Sequence, residues 1–361
     1  MATSRKRTWG SLRKLPSGRF QARYTTDAGE VVTAPHTFTT VREANTWLAT
    51  QEADLARGTH VDHRRGQRTL GDFAVEWFAT KAGLKAKTRE CYRSTYETHV
   101  EPAFGALPLT QVTPVRVKKW AAALPLKQSG QRQALLVLTQ IMDLAIQERL
   151  IGGPNPVTGT RARKTMRREV EKLTLEQATS LVRTMTPGRD ELMVATMLQA
   201  GLRWGELTAM RACDLDKDAG EIVVSRAVSD VGGKLTIDEP KSHQRRRIEI
   251  SDGLMTRLLA LASGEQLLFP SLNGTPLRLS NWRRVVWVPA VRSANVPAGL
   301  QIKDLRACCA TWLTDHGYSI MDVGKVMGHS ESSVTATHYA RSMKTKGDLV
   351  KAMSMIVDGQ F

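Results

Sequence analysis

The sequence predicts a multidomain α+β protein. A small three-stranded sheet plus helix comes first, then a four-helix bundle, then a mainly α domain with a small antiparallel sheet. Three observations lead there. The chain has 361 residues, more than one hydrophobic core ordinarily organises. Period-two alternation marks residues 19–25, and helical periodicity takes over from Thr69. Two polar, basic stretches without periodicity then separate the periodic regions. The expected boundaries are 1–58, a linker at 59–68, 69–157, a basic linker at 158–172, and 173–361.

Charge narrows the partner. Lys and Arg number 52 against 35 Asp and Glu, a formal net charge of +17. An excess this large points to a polyanion, nucleic acid first and an acidic membrane surface second. No apolar run approaches the roughly 18–20 residues of a membrane span. Met1 to Arg7 is basic, but no apolar segment follows it, so it does not read as a secretory signal. Cys91, Cys213, Cys308 and Cys309 lack metal-ligand spacing. They read as reduced residues of a cytoplasmic protein, and neither a metal nor a cofactor is expected.

In the first domain, Trp9 to Leu15 reads as a strand and Pro16-Ser17-Gly18 as a turn. Arg19 to Thr25 alternates, with Phe20, Ala22 and Tyr24 on one face and Arg19, Gln21 and Arg23 on the other. Val31 to Phe38 is a third strand. Thr40 to Glu43 is a capping box opening a helix with Ala44, Trp47, Leu48 and Leu55 inward. A sheet with an exposed Arg19/Gln21/Arg23 row can enter a major groove, where Arg and Gln contact base edges. Arg5, Lys6 and Arg7 add charge beside it. His60 and His63 fall in the following linker and read as linker residues rather than ligands.

Thr69 caps the first helix of the second domain, which bears Leu70, Phe73, Ala74, Trp77 and Phe78. Lys87 to Val100 is the second helix, and Glu101 to Gln111 a loop. Thr113-Pro114 starts the third helix. Ser129 to Leu150 is the fourth, with Leu135, Leu138, Met142, Ala145 and Ile146 on one stripe. Lys85, Lys87, Arg89, Arg93, Lys118, Lys119 and Arg132 are expected to be exposed. The linker after it carries Arg161, Arg163, Lys164, Arg167, Arg168 and Lys172. Laid along a phosphate backbone, these cations add affinity without sequence preference.

In the third domain, Thr174 to Gln177 is a second capping box, and a helix from Asp190 ends at Gly201. Arg203 then offers a planar fork to a phosphate, with Glu206 three residues on to fix it. Glu221 to Val228 and Lys234 to Asp238 read as a hairpin turning at Gly232-Gly233. Arg246 to Ile250 is a third strand, and Arg245, Arg246 and Arg247 read as strand and phosphate-contact residues. Trp282 and Trp287 are core residues of a helix from Ser280. The closing stretch holds Lys303 and Arg306 one turn apart, then Gly328-His329, then His338-Tyr339. Cations, an imidazole and a phenol suffice to attack a phosphodiester without a metal: the hydroxyl is the nucleophile and the rest stabilise the transition-state charge.

The strings Gly201-Leu202-Arg203-Trp204-Gly205-Glu206-Leu207, Asp304-Leu305-Arg306, Met327-Gly328-His329-Ser330 and Thr337-His338-Tyr339 together resemble the tyrosine recombinase (phage integrase) family. The resemblance implies an arm-type DNA-binding domain, a core-binding bundle and a catalytic domain. It implies Tyr339 as nucleophile, with Arg203, Arg306, Lys303 and His329 holding the phosphate. Lys241, in Pro240-Lys241-Ser242, matches the family's lysine between the second and third strands and becomes the general acid. Where the family usually has histidine, Lys303 stands here. A lysine of ordinary pKa, about 10.4, is a charged donor rather than a base, unless burial among cations depresses it; the electrostatic role is the expectation.

The function implied is integration, and excision, of a mobile element through a 3′-phosphotyrosyl intermediate and a four-way junction. The partners implied are double-stranded DNA with core-type and arm-type sites, a homotetramer on DNA, a host DNA-bending protein and an excisionase, within a bacterial host cell. The alternatives are a chromosome or plasmid resolvase, a type IB topoisomerase-like enzyme, and a DNA-binding regulator without activity. Leu349, Val350, Met353 and Ile356 read as an apolar tail that packs on a neighbouring subunit or in cis.

Overall fold

The computed structural model describes residues 9–26, 29–164, 172–238 and 245–328. The chain forms two compact units, one up to residue 166 and one from residue 167.

In the first unit, β1 (Ser11–Lys14), β2 (Phe20–Thr25) and β3 (Val31–Thr33) form an antiparallel sheet in that order. Leu12 lies opposite Ala22, and Tyr24 opposite Val32. Ala22, Tyr24 and Val32 are buried with Ala44 and Leu48 of α1 (Val41–Ala56). The capping box forms: Thr40 Oγ1 accepts from the Glu43 N–H at 3.2 Å, and Glu43 Oε2 accepts from the Thr40 N–H at 3.3 Å. β3 is shorter than expected because Pro35, two residues past its end, has no N–H to continue the ladder. The chain rejoins the sheet only at the Phe20–Phe38 bridge.

The polar segment after α1 is tied to this sheet. The Tyr24 hydroxyl hydrogen-bonds His60 Nε2. Arg64 pairs with Asp62 at 2.7 Å and donates to the Val31 carbonyl at 3.3 Å. Burial, then the Asp62 charge, push the Tyr24 phenol up to about 12.

The bundle comprises α2 (Leu70–Ala79), α3 (Ala86–Thr95), α4 (Glu101–Phe104), α5 (Pro114–Ala123) and α6 (Gln128–Gln147). A π turn at Tyr96–Val100 joins α3 to α4. The expected loop from Glu101 is therefore helical as far as Phe104. Pro102 follows directly on the π turn, where the regular ladder is already interrupted and its missing N–H costs little, and burial of Phe104 rewards the extension. Leu70, Phe73 and Trp77 pack with Val117, Leu138, Ile141 and Met142. All seven expected bundle cations are exposed.

In the second unit, α7 (Leu175–Thr184) opens with the Thr174–Gln177 capping box. α8 (Arg189–Ala200) is the central helix, buried throughout from Leu192 to Ala200. α9 (Trp204–Ala209) follows. β4 (Leu215–Asp216), β5 (Glu221–Val224), β6 (Ala227–Val231), β7 (Lys234–Asp238) and β8 (Arg246–Glu249) come next. The expected strand Glu221 to Val228 is broken at Ser225-Arg226, where Arg226 turns to Asp214 at 3.3 Å. β5 pairs with β4 and β8, while β6 and β7 form a separate hairpin. Gly232 and Gly233, with φ of 55° and 80°, make its turn.

α10 (Asp252–Leu259) precedes α11 (Leu279–Trp282), which runs through a π turn at Arg283–Trp287 into α12 (Val288–Ser293). Trp282 and Trp287 are core residues, as expected. α13 (Ile302–Asp315) and α14 (Ile320–Met327) complete the described chain. Cys308 and Cys309 are buried on α13, and burial pushes the Cys309 thiol up to about 12. Among the described residues, no helix is long and apolar enough to cross a membrane.

Candidate active site

The site begins where α8 ends. Gly201 takes a left-handed conformation, φ 57°, and an added Cβ there would lie 2.4 Å from Met327 Cε. The turn delivers Arg203 to the N-cap of α9. Glu206, one turn on, is 2% exposed. Its carboxylate accepts four hydrogen bonds. Oε1 takes Arg203 Nη1 at 2.7 Å and Arg246 Nη1 at 3.2 Å. Oε2 takes the Arg203 backbone N–H at 2.9 Å and Arg246 Nη2 at 2.7 Å. Burial alone would raise the Glu206 carboxyl. The hydrogen bonds and charge of Arg246, then those of Arg203, outweigh it and hold the group down to about 2.

Arg306, on the second turn of α13, reaches the same place. Its Nη1 donates to the Gly201 carbonyl at 2.5 Å and its Nη2 to the Met327 carbonyl. Burial, reinforced by the Arg203 charge, lowers its guanidinium to about 10, and Glu206 partly offsets this. It remains a cation at neutral pH.

α14 ends at Gly328, also left-handed at φ 61°. Its last carbonyls have no partner within the helix. Three arginines take them in succession. Arg246 Nε donates to Val326 at 2.9 Å, Arg306 to Met327, and Arg203 Nη2 to Gly328 at 3.3 Å. The chain then continues into His329. Three guanidiniums against one carboxylate leave two positive charges in excess at this point. An oxyanion in that field gains more than it would in water.

The expected pairing of Arg203 with Glu206 is present, and Arg306 reaches the carbonyl next to the one Arg203 holds. Lys303 is exposed near the start of α13. Lys241, His329, Tyr339 and the tail at 345–361 lie outside the described residues, as do Arg5, Lys6, Arg7, Arg167 and Arg168. Sequence reasoning misjudged Arg246: expected to contact phosphate, it is 9% exposed and bound to Glu206. Its neighbour Arg247 pairs outward with Asp216 at 2.8 Å and Glu221 at 3.0 Å. Strand alternation from β8 onward puts the two on opposite faces, which the run Arg245-Arg246-Arg247 could have revealed.

On the N-terminal sheet, Gln21 and Arg23 share the polar face, with Arg23 Nη2 donating to Gln21 Oε1 at 3.1 Å. Arg13 stands directly opposite Gln21 across the β1–β2 pair, so it extends that row. Arg19 is fastened to Thr37 Oγ1 at 2.6 Å. After the bundle, Arg161 and Lys164 are exposed. Arg163, also expected along the phosphate backbone, folds onto the bundle. Its backbone N–H donates to Gln131 Oε1 at 2.9 Å, and its guanidinium donates to the Ala122 carbonyl. Among the described residues, no group of His, Cys, Asp and Glu could hold a metal ion.

Three family models match this chain. The phage integrase N-terminal domain matches residues 8–57, the phage integrase N-terminal SAM-like domain residues 69–124, and the phage integrase family residues 167–346. The integrase of Mycobacterium phage D29 is 25% identical over 374 residues, covering 97% of this chain and 98% of that protein. Two solved structures share the fold. The Tn1549 transposon integrase, in complex with a circular intermediate DNA, superposes with TM-score 0.67 at 19% identity, over 79% of this chain and 98% of that one. A lambda integrase tetramer bound to a Holliday junction gives TM-score 0.60 at 18% identity, over 91% of this chain and 97% of that one. With all three models in chain order, the chain belongs to the phage integrase family of tyrosine recombinases.

Proposed function

We propose that this recombinase integrates and excises a mobile element by cutting and rejoining DNA through Tyr339. The phenolic oxygen attacks the scissile phosphorus as its proton passes to solvent, a phosphotyrosyl bond forms at the 3′ end, and the P–O5′ bond breaks. Lys241 gives its proton to the departing 5′ oxygen. Arg203 and Arg306 hold the non-bridging oxygens, His329 donates to one of them, and Lys303 adds charge. The bond energy stays in the covalent intermediate, so a second 5′ hydroxyl can reverse the step without a nucleotide cofactor. Two such exchanges pass through a four-way junction within a tetramer.

One observation carries this reading. Arg203 and Arg306, from separate helices, converge on the carbonyls that immediately precede His329. Two forks fixed side by side are what stabilising a pentavalent phosphorane requires. The arm sheet supports a second DNA contact, with Arg13, Gln21 and Arg23 in the groove and Arg19 at its rim. Arg161 and Lys164 would follow the phosphates of the core site, with Arg163 serving mainly to pin the linker. A host DNA-bending protein and an excisionase would complete the assembly in a bacterial cytoplasm.

The test is a nicked suicide substrate built on the element's core site. Wild type should accumulate a covalent protein–DNA adduct, and Tyr339→Phe should form none. Absence of an adduct with wild type, on a core site it binds, contradicts the proposal.

A further inference from the structure

We infer that Arg246 is a positioning residue for the cleavage step: it holds Glu206 and the end of α14 so that the charge of Arg203 stays available to the scissile phosphate. The inference rests on the reading of Arg203 as a phosphate ligand given above.

The argument starts from one carboxylate and two forks. Glu206 alone beside Arg203 would form a closed one-to-one pair, and the pair's net charge would be zero. Arg246 fills the remaining acceptor positions, one on each carboxylate oxygen. Glu206 is thereby shared, and the group of three keeps one positive charge. The arrangement is buried, so little solvent screens it: the Arg246 side chain is 7% exposed and that of Glu206 1%. Arg203, at 31%, is the member open to a ligand. Arg246 is thus too enclosed to touch DNA itself and acts through its neighbours.

Its third bond gives it a second handle. Arg246 Nε holds the Val326 carbonyl, two residues before Gly328. A Cβ on Gly328 would lie 2.9 Å from Arg246 Nη1, so the guanidinium packs directly on that backbone. Arg246 is also the first residue of β8, which begins just after the segment carrying Lys241. One side chain therefore links the Arg203 turn, the approach to His329 and the strand that follows Lys241. A displacement of about 1 Å at such a junction can cost about 10²-fold in rate.

The experiment is single-turnover cleavage of the nicked suicide substrate by full-length wild type, Arg246→Gln and Arg246→Lys. Each is also measured for core-site affinity and thermal unfolding. A second substrate carries a methylphosphonate at the scissile position, which removes the anionic non-bridging oxygen. Arg246→Gln should bind the core site within about threefold of wild type yet cleave the phosphodiester about 10²-fold more slowly. On methylphosphonate the gap should shrink to about tenfold or less, because a neutral linkage needs less cationic charge. Arg246→Lys, which keeps the charge but not the fork, should cleave faster than Arg246→Gln.

Wild-type cleavage by Arg246→Gln overturns the inference. So does an equal deficit on both substrates, which would mark a merely structural role, and so does failure of both variants to fold. If wild type itself forms no adduct, the recombinase reading has failed instead.

Discussion

Arg203 and Arg306 donate to neighbouring carbonyls, those of Gly328 and Met327, although one caps α9 and the other lies on α13. The C-terminus of α14 is thus the point that gathers the two forks. Truncating either to alanine should lower single-turnover cleavage by about 10²- to 10³-fold, with core-site affinity reduced less than tenfold. Arg203→Lys should not recover the rate, since an ammonium cannot make the two-pronged contact. Adduct formation in quench-flow and mobility shifts on the same DNA measure the two effects separately.

Glu206 makes stability depend on acid. Its folded carboxyl titrates near 2 against an ordinary 4.5. A depressed carboxyl contributes fully above its unfolded value and loses that contribution as pH falls from 4.5 towards 2. The contribution is about 3 kcal/mol. Glu206→Gln should therefore lose about 3 kcal/mol at neutral pH, because the buried Arg246 and the half-buried Arg203 lose their counter-charge. Its stability should also fall less steeply than that of wild type over the acid range. Urea titrations at a series of pH values test both statements.

Two glycines with the same backbone sign should behave differently. Gly328 has φ +61° and Arg246 Nη1 2.9 Å from a would-be Cβ, whereas Gly274 has φ +72° and open space. Gly274→Ala should cost about 1 kcal/mol of left-handed strain and leave cleavage unchanged. Gly328→Ala should add a displacement of Arg246, costing about 1–3 kcal/mol, and slow cleavage about tenfold or more. Thermal unfolding and the suicide-substrate assay distinguish them.

The arm sheet should act apart from the chemistry. Arg23→Ala or Gln21→Ala should weaken binding to an arm-type site by about 1–3 kcal/mol and leave cleavage of an isolated core site unaltered. Arg13→Ala should behave similarly, since Arg13 faces Gln21. Competition binding at several salt concentrations separates base reading from simple phosphate attraction, which changes the salt slope.

What the sequence revealed was local. The capping boxes at Thr40–Glu43 and Thr174–Gln177 and the pairing of Arg203 with Glu206 each join residues three positions apart, and all three form. The strand alternation around Ala22 and Tyr24 likewise sets which face is buried. The failures were of longer range. Arg246 meets Glu206 forty positions away, and no spacing rule announces such a partner. The strand expected across Ser225 broke because its first half, β5, pairs with β4 and β8, and only its second half, β6, pairs with β7, a choice made by tertiary packing. Glu101–Phe104 stayed helical because its proline fell just past the π turn, where the regular hydrogen-bond ladder is already interrupted. The polar segment after α1 looked like a free linker because its bonds to Glu30 and Val31 are invisible in composition.

The most direct measurement is to digest the trapped protein–DNA adduct and locate the modified residue by mass spectrometry. The account predicts a single nucleotide-bearing peptide, modified at Tyr339 and joined to the 3′ phosphate, with a free 5′ hydroxyl on the released strand. Modification at another residue, or linkage to a 5′ phosphate, would contradict it.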